Sequence, residues 1–454
     1  MDQRSTSRKR IPRHNYHQSL VYKAFLASKP GNVAMTLDQT LDVVKQLAEL
    51  TGGIKQVVYL VGWQFDGHDS KYPAWSEVNH RLKRPGDADA RDSLVWLMKE
   101  ARKYNAFVSL HINMTDAYAN SPLWQAYVDH DLIAKQSDGT LMKGAEWGGE
   151  MSYPICKPRE WQSGYARKRI DALLAYLPLQ ESGTVHIDAF LPVASPGHRT
   201  TVEDELNAMV EILQYWRSQG IDVTTEDFDP HFAGLTPMVW HLNAEERTRL
   251  KFPPGVVCGG GSMWNARLGA EKRSDCPQLD RPEGGCLYEV AWGQSIDFDI
   301  SSIEMIPVVA KEFFHKTLPW QFLNRSKPVS LTQTAEKYEV QWKNGVVTTV
   351  THKDCSFTLR QGEVTYVKNK DLLVPAPWMD SPGGSQKTCI AYSEHGSSRT
   401  WRTPPEWAGA REASLKQLYP TGDSKVHRVP VVDNSIKLDI APGVAIRVQA
   451  EIAK

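Results

Sequence analysis

The chain has 454 residues, 41% hydrophobic and 23% charged, with 53 basic and 53 acidic side chains that cancel to a formal net charge of zero. That length exceeds one ordinary core, so two domains are expected. The balanced charge gives no electrostatic reason to expect nucleic acid or an anionic membrane as a partner, and no run approaches the roughly 18 apolar residues of a membrane span.

Residues 1–19 read as a basic tail, with Arg8-Lys9-Arg10 solvated. Val21 to Ala27 reads as a first strand, and Leu37 to Leu50 as a helix with Leu41, Val44, Leu47 and Leu50 on one face, ended by Gly52-Gly53. Gln56 to Val61 predicts a second strand and Asp92 to Tyr104 a second helix. Ala106 to Ile112 predicts a third strand, followed by a polar, aromatic loop running past Trp124 and Trp147 to about Arg159. Trp161 to Leu177 repeats a helical stripe through Ala166, Ile170, Leu173, Leu174 and Leu177. Gly183 to Phe190 is a fourth strand carrying a single carboxylate, Asp188; a helix over Val202 to Gln219 and a strand over Ile221 to Thr225 come next.

This alternation predicts a parallel sheet, and long polar loops after the strands favour a (β/α)8 TIM-type barrel over 20–325. A doubly wound sheet is the alternative, but no phosphate loop follows strand one, and Gly259-Gly260-Gly261 reads as a plain flexible loop. Beyond Asp229 the units blur, with Ile303 to Phe314 as a late barrel helix. From 326 to 454 the texture becomes period-two. Tyr338–Trp342 and Val346–Thr351 flank Asn344-Gly345 as a hairpin, and Phe357 to Leu359, Glu363 to Val367 and Ile436 to Val448 continue the pattern. This predicts a C-terminal all-β sandwich.

Six cysteines include no C-x-x-C pair, so no zinc site is expected. Cys276 and Cys286 could close a small loop in an oxidising compartment; free thiols are expected in a cytoplasmic protein. No apolar h-region opens the chain, which predicts a cytoplasmic location, or secretion if the natural start lies upstream.

Polar residues gather at the ends of the predicted strands. Strand two leads into Gly62-Trp63-Gln64-Phe65-Asp66-Gly67-His68-Asp69-Ser70. Strand three leads from His111 through Asn113 to Asp116 and Tyr118; strand four ends at Asp188, and strand five in Thr224-Thr225-Glu226-Asp227. A barrel brings these ends to one pocket. An Asp and a Glu facing each other there suit glycoside hydrolysis, one attacking the anomeric carbon and the other protonating the leaving oxygen. Other readings are structural: Asp188 as a hydrogen-bond acceptor, Glu226 beside Asp227 as a helix cap, His68-Asp69 as a turn, His111 and His186 as core histidines. Most of the 15 Trp and 16 Tyr belong to cores, though aromatics in loops also stack on sugar rings.

The ordered strings Gly62-Trp63-Gln64, Gly67-His68-Asp69-Ser70, His111-Ile112-Asn113, His186-Ile187-Asp188 and Thr224-Thr225-Glu226 resemble the motifs of endo-α-N-acetylgalactosaminidases, glycoside hydrolase family 101, and more distantly the α-N-acetylgalactosaminidases of family 129. The resemblance covers roughly residues 20 to 325. It implies a retaining α-glycosidase acting on α-linked GalNAc, or Gal-β-1,3-GalNAc, on Ser or Thr of a glycan or glycopeptide. Asp188 takes the nucleophile's position and Glu226 the acid/base position. Asp69 is carried over as a binder of sugar hydroxyls. His68, Gln64, Asn113 and Asp116 would line the pocket, and Trp63 and Trp147 would stack on substrate. No metal or organic cofactor is implied, and Asp297 and Glu304 are weaker candidates for a third acid. The two carboxyls should lie about 5–5.5 Å apart. A chain that begins almost at strand one is expected to meet a small imported glycoside or glycopeptide. The alternatives are a retaining α-glycosidase for another sugar and a non-catalytic carbohydrate-binding barrel.

Overall fold

The computed structural model describes residues 11–452 apart from 30, 243–249, 260–295, 297–298, 352, 354–355, 381–386 and 422–424. The expectations for Cys276, Cys286, Gly260, Gly261 and Asp297 lie outside the described residues.

Seven parallel strands form the first sheet: β1 (Leu20–Phe25), β2 (Gln56–Val61), β3 (Ala106–Asn113), β4 (Thr184–Asp188), β5 (Asp222–Asp227), β6 (Met238–His241) and β7 (Cys258–Gly259), side by side in that order. The sheet curls into a TIM-like barrel. Its inward side chains meet across the interior: Val21 on β1 and Val57 and Tyr59 on β2 share a buried cluster with Met238 and Trp240 on β6 and Cys258 on β7. The outer edge of β1 is also paired. Ile296 N–H donates to Val21 O at 2.9 Å, and Ile300 N–H donates to Lys23 O at 2.9 Å.

The helices coat the outside because their stripes match the sheet. α1 (Leu37–Thr51) starts on a capping box between Thr36 and Gln39 and stops at Gly52 in the left-handed region. α2 (Ala90–Ala101) follows β2. The helix expected over Trp161 to Leu177 is broken: Lys157–Gln162 ends at Ser163, and Gly164, at φ +81°, restarts it as α3 (Tyr165–Tyr176). α4 (Val202–Ser218) has its own capping box between Thr201 and Asp204.

Residues 13–18 are not solvated tail but close the floor of the barrel. The Tyr16 hydroxyl donates to Thr184 Oγ1 at 2.7 Å, and Arg13 N–H donates to Asp222 Oδ2 at 2.7 Å. An aromatic ring and free backbone donors are better satisfied by the open strand starts than by water. The loop expected between β3 and α3 holds a small antiparallel sheet of Asp116–Tyr118, Glu150–Pro154 and Glu146–Trp147. The late helix runs past Phe314 to Leu323 through a π-helical turn at Phe313–Thr317. Phe313, Phe314, Leu318 and Trp320 are all buried along it, because it lies between the barrel and the C-terminal strands.

From Pro328 to Ile452 the chain forms one twelve-stranded sheet, antiparallel throughout. The hairpin at Asn344-Gly345 is as expected, with Gly345 at φ +80°. Strand Ser435–Ile440, near one end of the sheet, packs Ile436 and Leu438 against Ala391 and Val448 in a second core, so the sheet folds back over itself. Among the described residues, no helix is long and apolar enough to cross a membrane.

Candidate active site

The register of the barrel builds the site. Parallel pairing sets His111 beside His186 and Asn113 beside Asp188, and sets His186 beside Thr224. Strand ends carrying Asp188 and Glu226 therefore emerge as neighbours at the carboxyl end of the barrel, where the loops converge.

Asp188 is 15% exposed, with His111 Nε2 3.6 Å from its Oδ1. Burial pushes its carboxyl up, but His111, Lys23 and His68 together outweigh that and hold it well below the usual carboxylate range. Glu226 is pushed up to about 7, first by burial and then by the Asp188 charge and a hydrogen bond with it; Lys23 opposes the rise. Both Glu226 oxygens are held. Lys23 Nζ lies 3.3 Å from Oε1, and Ala189 N–H donates to Oε2 at 3.3 Å. Ala189 sits at φ +46°, the turn that aims its amide at this oxygen. His241 Nε2 is 3.9 Å from Oε1, and burial together with Lys23 pushes its imidazole down to about 4.

The loop after β2 supplies the next layer. Gly62 has φ +76°, and a side chain there would place its Cβ 1.9 Å from the Ala27 carbonyl oxygen; the motif glycine lets the loop fold against the end of β1. His68 N–H donates to that same oxygen at 2.9 Å. Asp69 is raised by burial, lowered by His68 and raised again by Asp188, so it shares the pocket. His68 packs edge-on against His111 with ring centroids 5.4 Å apart, and His111 lies 5.1 Å from His186. Donor atoms of His68, His111 and Asp188 fall within 4.8 Å of one another, a spacing a cation could bridge. In this arrangement His111 and His68 face the Asp188 carboxylate and favour its ionised form.

Of the residues singled out from sequence, Asp188, Glu226, Asp69, His68 and Asp116 come together; burial first, and the Asp188 and Asp69 charges after it, raise Asp116. Trp63 does not face the pocket. It is 0% exposed and donates Nε1–H to His111 O at 3.0 Å, so it is a core residue under the loop, unable to stack on a sugar. Gln64 is buried and donates to Gly67 O, shaping the same loop. Asn113 is likewise spent on local structure. Its Oδ1 accepts from Thr115 and Asp116 N–H, and its Nδ2 donates to Asp116 Oδ2 at 2.8 Å. Trp147 stands 49% exposed on the small sheet, whose Glu150 pairs with Lys29 beyond β1. Glu304 is exposed on a 3-10 turn away from the pair.

Sequence reasoning missed Lys23, Tyr72 and His241, and placed Tyr118 and Asp227 at the strand ends without giving them a role. Lys23 had a signal: it is the one charged residue in Leu20–Leu26, as Asp188 is in its own strand. The Tyr118 hydroxyl is buried and has no partner among the described residues, although Asp69, Asp116 and Asp188 all act on it.

The endo-α-N-acetylgalactosaminidase family model matches residues 17–244. A Renibacterium salmoninarum protein, provisionally named an endo-α-N-acetylgalactosaminidase, is 25% identical over 421 residues, which take in 88% of this chain and 24% of that one. The chain thus spans about a quarter of that relative's length. Among solved structures, the Bifidobacterium bifidum α-N-acetylgalactosaminidase NagBb in its GalNAc complex has a TM-score of 0.55 at 14% identity, covering 78% of this chain and 58% of that one. Its Gal-NHAc-DNJ complex has a TM-score of 0.52 at the same identity and coverage. At this identity the likeness is one of fold.

Proposed function

The chain belongs to the endo-α-N-acetylgalactosaminidase family, glycoside hydrolase family 101, and from that premise we propose a retaining α-glycosidase that releases α-linked GalNAc or Gal-β-1,3-GalNAc from Ser or Thr of a glycopeptide. Its catalytic (β/α)8 barrel is assigned to 20–325, with Ile300 beside β1 in the eighth strand position, and an appended sandwich to 326–454. One observation carries the reading: two carboxyls on neighbouring strand ends whose surroundings push them apart, Asp188 well below the carboxylate range and Glu226 up to about 7. Such a pair divides into nucleophile and acid.

Asp188 attacks the anomeric carbon. The bond to the aglycone breaks as its oxygen takes the proton of Glu226. Glu226 then takes a proton from water, and the resulting hydroxyl displaces Asp188 from the sugar. Retention needs the two carboxyls about 5–5.5 Å apart, whereas an inverting pair stands about 6.5–9.5 Å apart to admit water. Asp69 and His68 bind sugar hydroxyls, and Trp147 is a stacking surface on the rim. A non-catalytic binding barrel has no use for the separation between the two carboxyls.

The test is a panel of p-nitrophenyl α-glycosides that includes GalNAc and Gal-β-1,3-GalNAc, with proton NMR of the first-formed sugar. Release from either, α-anomer first, is expected. The β-anomer first would overturn retention, and release only from another α-glycoside would move the substrate. Binding without turnover would leave a lectin-like barrel. Asp188→Asn should abolish turnover while keeping the folded far-UV spectrum; residual full activity in that variant would remove Asp188 as nucleophile.

A further inference from the structure

Lys23 enters the barrel from β1, on the strand farthest in sequence from the pair it meets. It is 7% exposed, and its ammonium lies 3.3 Å from Glu226 Oε1 and 4.9 Å from the centre of the Trp240 ring. A buried ammonium is costly unless paired, so its position reflects the charges around it. Resting on the retaining reading, we propose that Lys23 is the positioning residue of the carboxyl pair: a fixed counter-charge around which negative charge passes from Asp188 to Glu226 and back.

The charge balance requires such a group. Before reaction Asp188 is an anion, Glu226 is neutral and Lys23 is a cation. When the Asp188 oxygen bonds to the anomeric carbon, Asp188 loses its charge. The leaving oxygen keeps the electron pair of the broken bond and takes the Glu226 proton, leaving Glu226 the anion. The three groups sum to zero in both states, and the cation touches the carboxylate that forms. With Ala189 N–H on the other oxygen, Glu226 gains its charge with both oxygens already facing donors.

Lys23 is faced by Asp188 and His186 from β4, Glu226 from β5, His241 from β6, and Asp299 near the outer edge of β1. Asp188 is faced in addition by His111 from β3 and His68 from the β2 loop. Asp69, Asp116 and Asp227 feel its charge, as do the phenols of Tyr72 and Tyr118. His186 and His241 are both pushed towards the neutral form, His186 by burial above all, so neither substitutes for the ammonium.

The experiment compares pH profiles of kcat/KM for the wild type, Lys23→Met and Lys23→Arg on one activated and one unactivated glycoside. Removing a cation raises both carboxyls, so Lys23→Met should move both limbs upward by about one unit, within the range of a nearby opposite charge. It should also lower kcat more on the unactivated glycoside, which needs the Glu226 proton. Lys23→Arg keeps the charge and should hold both limbs near their wild-type positions. An unmoved profile in Lys23→Met overturns the proposal, as does a shift in Lys23→Arg equal to that in Lys23→Met. If Lys23→Met does not fold, Lys23→Gln replaces it on the same criterion. These outcomes presuppose an active wild type; a wild type silent on every glycoside removes the retaining reading and this inference together.

Discussion

Under the proposed mechanism Glu226 is the residue on which the chemistry turns, and its two protonation states have opposite consequences. Held up to about 7, it is a proton donor below that pH, so turnover should fall as pH rises through the same value. Glu226→Gln cannot donate. Activity on unactivated aglycones should drop roughly 10²- to 10⁴-fold, and much less on a dinitrophenyl glycoside whose leaving group needs no proton. The same group leaves a mark on stability. A carboxyl whose folded value is raised above its ordinary 4.5 contributes stability that is full below 4.5 and lost as pH rises through about 7. The Gln side chain is locked in the neutral form, so the variant should gain on the wild type between those limits and run parallel above them. Thermal melts of both proteins across the interval check this. A constant gap would mean that Glu226 is an ordinary solvated carboxylate.

At the scale of elements, the turn after β4 needs support, because Ala189 at φ +46° is held by its surroundings. That support comes from a fully buried pair. Lys157 Nζ lies 3.3 Å from Glu205 Oε2 on α4 and donates to Leu191 O at 2.8 Å, just beyond Asp188. Lys157→Met leaves Glu205 without its counter-charge, with the residue-157 N–H still donating to Oε1, and should destabilise by about 3–5 kcal/mol. The double variant Lys157→Met/Glu205→Met should recover most of that loss, and urea unfolding of both measures it. Equal losses in the single and double variants would show that packing, not charge, holds the turn. This pair was not legible in the sequence, since Lys157 and Glu205 lie in helices with no motif between them. What was legible is what local periodicity dictates: β1 to β5, α1, α2 and α4 stand within a few residues of their expected ends. Met238–His241 was missed because it has four residues and no described amphipathic helix leads into it. Trp63 was misplaced for a different reason. The motif puts it in a catalytic loop, but only the fold of that loop over the end of β1 turns the indole inward to His111. Lys23 carried the same signal as Asp188, a lone charge in an apolar strand, but no motif marked it, and the partner it meets across the barrel is set by the fold.

At the scale of the molecule, the barrel and the twelve-stranded sheet share one core. A single buried cluster runs from Leu20 in β1 to Ala445 near the chain's end. Phe314 stacks on Tyr392 at 4.7 Å, Trp378 Nε1–H donates to Thr51 O at the end of α1 at 2.9 Å, and Arg325 donates to Pro375 O at 3.1 Å. Because one buried cluster joins the two parts, one cooperative transition is expected in calorimetry. A charged clasp adds to the shared core. Glu394 at the end of strand Thr388–Ser393 meets Lys370 at 2.7 Å, and Lys311 and His315 from the linking helix at 3.2 and 3.3 Å. Burial alone would raise its carboxyl, but Lys370, Lys311 and His315 bring it down to about 2. A depressed carboxyl contributes stability that is present above its ordinary 4.5 and lost as pH falls through about 2. Glu394→Gln should therefore melt below the wild type at neutral pH, still in one transition, and the two midpoints should converge as the buffer is taken towards pH 2.5. The lysines face solvent in part, so added salt should narrow the neutral-pH gap as well. Midpoints that stay equally apart at both ends of the pH range would mean that Glu394 acts through packing. Two resolved transitions in the variant would mean that the clasp, and not the apolar core, joins the sheet to the barrel.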